Sequence, residues 1–116
     1  MSLETFRSPG VENLYIAVNK IKVQKSRGDE LEQRFQHSGA VAREPGFLGF
    51  ELWKWDGDGE HEEFLVVSRW ESEEAHSQWT KSESFKQAHS GPPADFILGH
   101  PEFSGYQVRM SVAPEG

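Results

Sequence analysis

Three segments of this chain carry large apolar side chains at both odd and even positions, and this limits the fold more than any other feature. In the first, Leu14, Ile16 and Val18 alternate with Tyr15, Ala17 and Asn19, and the second set continues as Ile21 and Val23. A strand sends successive side chains to opposite faces, so the pattern describes a strand with two faces to bury. Phe47 to Trp55 and Phe64 to Trp70 repeat it. Asp56-Gly57-Asp58-Gly59 between them supplies turn residues, which makes these two strands a hairpin.

Helical stretches separate the strands. Ser26 is a candidate cap for a segment whose apolar stripe, Leu31, Phe35 and Ala42, ends at Pro45-Gly46. Ser72 precedes Glu73 and Glu74, acids suited to the positive end of a helix dipole, and Ala75 and Trp79 share a face four residues apart. Helical character breaks near Ser82, resumes from Glu83 to His89 and stops at Gly91-Pro92-Pro93. A loop with Phe96, Ile97 and Leu98 then leads to a last strand near Phe103 to Val112.

The order β-α-β-β-α-β is the split βαβ arrangement of a ferredoxin-like α+β sandwich. One sheet with both helices on a single face leaves its other face wet, which conflicts with strands that are apolar on both sides. The simplest second cover is the same sheet of another subunit, so the expected assembly is a homodimer, a dimeric α+β barrel. Leu14, Ile16 and Val18 are assigned to the partner side, and Asn19, Ile21 and Val23 to the helices. Residues 1–12 read as a flexible leader, 13–112 as a single domain and 113–116 as a fraying tail.

Charge narrows the partners. With 12 basic and 19 acidic residues the net charge is −7, which opposes the phosphate contacts that supply most nucleic-acid affinity, so no nucleic-acid partner is expected. No apolar run reaches the length of about 20 residues needed to cross a bilayer. The start, Met1-Ser2-Leu3-Glu4, lacks an export signal, so a cytoplasmic protein without a membrane partner is expected. The absence of cysteine removes disulfides, thiolate metal sites and cysteine nucleophiles together, leaving His, carboxylate or Tyr for any metal.

Three residues stand out as candidates for chemistry. Asn19 is an amide at a position the strand pattern calls buried, where it needs a partner, either a neighbouring backbone group or a ligand. Trp79 reads as core or as the wall of a cofactor site. His89 sits at the end of a helical segment and is a candidate metal ligand, diluted by His37, His61, His76 and His100. Ligation there competes with protonation, so binding should weaken in acid. No His-Glu-x-x-His pair, glycine-rich phosphate loop or Gly-x-Ser-x-Gly turn is present, so chemistry without an external cofactor has little visible machinery.

Pro45-Gly46-Phe47-Leu48-Gly49-Phe50, Ser68-Arg69-Trp70-Glu71-Ser72 and Trp79-Thr80-Lys81-Ser82 followed by Phe85-Lys86-Gln87-Ala88-His89-Ser90 resemble the IsdG-type haem monooxygenases of the antibiotic-biosynthesis monooxygenase superfamily. The resemblance runs over roughly residues 13–110. It implies that Asn19, Trp79 and His89 surround a haem that is both cofactor and substrate. In that reading His89 ligates the iron and Trp79 presses the macrocycle out of plane. Asn19 hydrogen-bonds on the side open to dioxygen and steers attack to a bridging carbon. A reductase or small reductant would supply electrons. The alternatives are a cofactor-independent quinol or aromatic-polyketide monooxygenase of the same superfamily, a haem-binding carrier, and a dimeric ligand-binding or structural module.

Overall fold

The computed structural model describes residues 14–115 apart from 37, 38, 58, 90, 92 and 93. Its elements are β1 (Tyr15–Gln24), α1 (Gly28–Phe35), a 3₁₀ turn (Ala40–Arg43), β2 (Phe47–Lys54), β3 (His61–Trp70), α2 (Glu73–Thr80), α3 (Glu83–Ala88) and β4 (Ile97–Gln107). The strands form one antiparallel sheet in the order β2-β3-β1-β4, so β3 lies between β1 and β2 as the split βαβ unit requires. This is the ferredoxin-like α+β fold that the element order implied.

The helices cover one face through two apolar clusters. Leu31 of α1 packs on Ile21, Val23, Phe64 and Phe96, while Trp79 of α2 packs on Tyr15, Ala17 and Trp70. Val23, Phe64 and Trp70 are the most completely buried large side chains. Burying a side chain of this kind contributes about 1.5–3 kcal/mol, so these residues set which face of each strand points inward. The opposite face carries Ile16, Val18, Leu65 and Val67 near its middle, with Trp53 and Tyr106 exposed at its margins.

Four expectations need correction. The first helix does not run to Pro45: α1 ends at Phe35, and Ala42 is an exposed residue of the separate 3₁₀ turn. Ser26 is not its cap, because it sits at φ 72° in the left-handed region and donates its backbone N–H to Glu62, leaving Arg27 at the cap position with no side-chain bond to the helix amides. The last strand spans Ile97–Gln107 rather than 103–112, so Ile97 and Leu98 belong to it. Gly99 and Pro101 look like strand breakers, but they fall in a bulge where Lys20 faces Glu102 and Lys22 faces Leu98. Gly99 supplies φ 69° there, and an edge strand tolerates the missing N–H of proline. Finally, β2 stops at Lys54 and β3 begins already at His61. The proposed leader, 1–12, lies outside the described residues.

The second helical region forms as its caps indicate. Ser72 Oγ accepts the Ala75 N–H at 3.1 Å, and Ser82 Oγ accepts the Phe85 N–H at 3.1 Å, so a fresh cap restarts the helix after α2. Gly46 (φ 83°) turns the chain into β2, and a Cβ there would lie 2.6 Å from that of Ala75, so only glycine lets this turn lie against α2. No helix among the described residues is long and apolar enough to cross a membrane.

Candidate functional site

The two helical covers leave a strip of sheet between them. Across this strip Asn19, Val66 and Leu52 lie opposite one another on β1, β3 and β2. Below it runs the α1 cluster and above it the α2 cluster, so the strip is the floor of a cleft between helices. Beside α1 the cleft deepens into an open cavity of about 330 Å³, with Phe35, Phe50, Leu52 and Phe64 as apolar lining and Glu32 and Lys54 as charged members.

Asn19 was expected to be buried with a partner. It is partly buried instead, and no side-chain hydrogen bond joins its amide to another described residue. The reason is the gap between the two clusters, which leaves this one position of β1 less covered than Ala17 or Ile21 on either side. A half-covered amide keeps its hydrogen-bonding capacity for something that enters the cleft.

Trp79 is only 9% exposed and belongs to the core cluster with Tyr15, Ala17 and Trp70. Its ring meets Phe85 edge-on, with centroids 5.5 Å apart. Phe85 in turn stacks on His89 at 4.0 Å. Trp79 and His89 are thus brought together through Phe85, a residue that sequence reasoning did not single out. Its spacing four before His89 on one helical face was the available signal.

His89 caps the C-terminus of α3 and is exposed. Its Nδ1 lies 2.9 Å from the Phe85 carbonyl oxygen. A carbonyl can only accept, so Nδ1 is the donor here, and in the neutral ring the lone pair is then on Nε2. A backbone carbonyl holding one nitrogen while the other stays free to donate is how metal-ligating histidines are oriented. Among the described residues no group of three or more His, Asp or Glu side chains could hold a bare metal ion. A single imidazole donor suits a metal that arrives with its remaining ligands already in place, as in a metalloporphyrin.

The other histidines are placed differently. His76 on α2 is half-buried among three rings, 5.5 Å from Tyr15, 5.4 Å from Trp70 and stacked on Phe103 at 5.6 Å. Burial lowers its pKa, against the opposing pull of Glu73. His61 stacks on Trp55 at the hairpin, His100 lies exposed in β4, and His37 lies outside the described residues.

The state of His76 gives a pH dependence. An unfolded histidine titrates near 6.5 and the folded ring titrates lower, so the unfolded state gains its proton first as the pH falls. Stability is complete above that unfolded value and declines below it. Melting temperatures measured from about pH 7.5 down to pH 5 should therefore fall more in the wild type than in His76→Phe. Parallel declines would remove His76 as the cause.

The antibiotic biosynthesis monooxygenase family model matches residues 14–91, a stretch that contains Asn19, Trp79 and His89 and stops before β4. The chain belongs to this family. It is 38% identical over 103 residues to a protein of Shouchella clausii named "heme-degrading monooxygenase", covering 87% of this chain and 95% of the relative. A protein of the same name from Listeria welshimeri is 42% identical over 84 residues, 66% of this chain and 69% of the relative. Among solved structures, the heme-degrader MhuD of Mycobacterium tuberculosis, described with two hemes bound in its active site, aligns at 35% identity with a TM-score of 0.68, covering 85% of this chain and 99% of that one. A Bacillus cereus protein described as an antibiotic biosynthesis monooxygenase aligns at 27% identity with a TM-score of 0.76, covering 88% and 99%. Asn19, Leu52 and Val66 of the cleft floor lie within the matched segment, whereas Phe96 and Phe103 on the helix-facing side lie beyond it.

Proposed function

We propose that this chain is a haem-degrading monooxygenase of the IsdG type, a homodimer that binds haem and, with dioxygen and electrons from a reductase or small reductant, opens the porphyrin and releases its iron. The observation that carries this reading is the exposed imidazole of His89, oriented through Nδ1 by the Phe85 carbonyl so that Nε2 of the neutral ring is available to a metal. Relatives that bear the name "heme-degrading monooxygenase" support the substrate.

Haem, when bound, supplies both the iron that engages dioxygen and the ring carbon that is oxidised. The chain's own residues supply the rest. His89 Nε2 would hold the iron, and it must be unprotonated to do so, so affinity declines in acid. Asn19 presents an amide from the floor of the cleft with no internal partner to give up, able to donate a hydrogen bond beside the reacting carbon. Trp79, backed by Tyr15, Ala17 and Trp70, is a rigid wall against which a macrocycle would distort. Phe35, Phe50 and Leu52 offer apolar contact and exclude water.

The test is to add haemin to the purified protein, record the visible spectrum, then add a reductant in air with catalase present. Stoichiometric binding followed by loss of the porphyrin absorption is expected. Bound haem that persists would instead identify a carrier. No haem binding, with turnover of a quinol, would identify the cofactor-independent reading.

The case for dimerisation is the sheet face away from the helices, where Ile16, Val18 and Leu65 are only partly buried and Trp53 and Tyr106 are exposed. A second copy placed face to face would bury them. Sedimentation at micromolar concentration should give twice the monomer mass, and the melting temperature should fall on dilution. A monomer whose melting is independent of concentration would count against the shared-sheet assembly.

A further inference from the structure

The cavity beside α1 is apolar within and charged at its rim, and among the described residues lining it Lys54 is the one cation. Lys54 follows Leu52 by two positions on β2, so its side chain leaves the same face of the sheet about 7 Å further along the strand. Leu52 stands in the transverse row that contains Asn19. A flat apolar molecule lying over this row would have its edge at Lys54. The side chain of Lys54 is 57% exposed, and its Nζ is 3.4 Å from Glu62 Oε1. Glu62 is already engaged by the backbone N–H of Ser26. Glu62 is only 19% exposed, but the ammonium itself is in solvent and has three donors, so one ion pair does not commit it. Glu32, also at the cavity, adds negative charge, so Lys54 is the one lining group that would attract a carboxylate.

We propose that Lys54 is a specificity residue that pairs with a carboxylate of the bound tetrapyrrole, fixing which edge of the macrocycle faces the mouth of the cavity. This rests on the haem reading above. The chemistry is that of a planar apolar ligand with anionic side arms: the ring enters the aromatic lining, and an arm takes the ammonium in a charge-assisted hydrogen bond. In a protein of net charge −7 the long-range field repels such a ligand, so the local cation supplies discrimination that the overall charge cannot.

The experiment measures quenching of tryptophan fluorescence by metal-free protoporphyrin IX and by its dimethyl ester, so that neither iron ligation nor turnover enters. Wild type should bind the diacid more tightly than the ester. Lys54→Gln should weaken the diacid about fivefold and leave the ester unchanged, and Lys54→Arg should restore the preference. Glu62→Gln breaks the same ion pair from the other side and should tighten the diacid, because it removes a competing carboxylate. A purely structural role for the pair would make Lys54→Gln and Glu62→Gln behave alike and would overturn the proposal. Equal binding of diacid and ester by wild type and Lys54→Gln would also overturn it while leaving the haem reading intact. Failure of wild type to bind either porphyrin would overturn both.

Discussion

His89→Ala should abolish the spectrum of the bound haem, or weaken haem binding by two orders of magnitude or more, while the protein stays folded. The imidazole is exposed, so its removal opens no cavity in the core. What is lost is the donor at Nε2 and the carbonyl-fixed orientation behind it. A missing iron–nitrogen bond cannot be replaced by a neighbour within the cleft, because the next histidine on this side, His76, is enclosed by Tyr15, Trp70 and Phe103. Titrating haemin into wild type and variant, with circular dichroism as the control for folding, checks this. An unchanged spectrum and affinity would move the ligand elsewhere, with the exposed His100 next in line.

The second large effect concerns turnover. Asn19→Ala should keep haem affinity near that of the wild type and slow loss of the porphyrin by tenfold or more, since one oriented hydrogen bond in a water-poor site commonly contributes about 1.4 kcal/mol or more to the barrier. Interactions that strengthen only along the reaction appear in rate rather than in binding. The amide has no internal hydrogen-bond partner among the described residues, so its removal leaves no orphaned group and stability should hardly change. Trp79 requires a gentler substitution. Because it is core to Tyr15, Ala17 and Trp70, Trp79→Ala would cost about 3–5 kcal/mol of stability and confuse the two roles. Trp79→Phe keeps an aromatic ring in the cluster while reducing the wall, and it too should slow degradation more than binding. Single-turnover decay under reductant and air, with catalase, measures both; wild-type rates in Asn19→Ala and Trp79→Phe would remove their assigned roles.

Much of this fold could be read from alternation and caps. The face assignment of β1 holds because Tyr15, Ala17, Ile21 and Val23 are inward while Ile16 and Val18 are outward, and period-two burial admits no other solution once one face is fixed. Ser72 marked a helix start because a hydroxyl that bonds an amide three residues on acts locally, and Ser82, read only as a break, caps α3 in the same way. The errors arose where tertiary context overrides local rules. Ile97 and Leu98 were read as loop, yet the strand already starts there because a bulge on an edge absorbs Gly99 and Pro101. Ser26 looked like a cap, but the carboxylate of Glu62, 36 residues away, holds its backbone in another conformation. At the site, residue types pointed to Asn19, Trp79 and His89. Phe85 and the lining of the α1 cavity were legible only once the chain was folded, because their importance lies in which rings they touch.

Helix α3 is only six residues long, and its geometry is carried by a short relay: Ser82 Oγ accepts from the Phe85 N–H, and the Phe85 carbonyl accepts from His89. A helix this short is marginal by itself, since nucleation absorbs most of what its few hydrogen bonds contribute. If His89 ligates iron as proposed, the coil–helix equilibrium of α3 and that ligation are linked, and each must favour the other by the same free energy. Part of the affinity for haem is then stored as order in a single turn and a half of backbone. Loss of that ligation would in turn release the segment to fray, so order in this short helix and occupancy of the imidazole would rise and fall together.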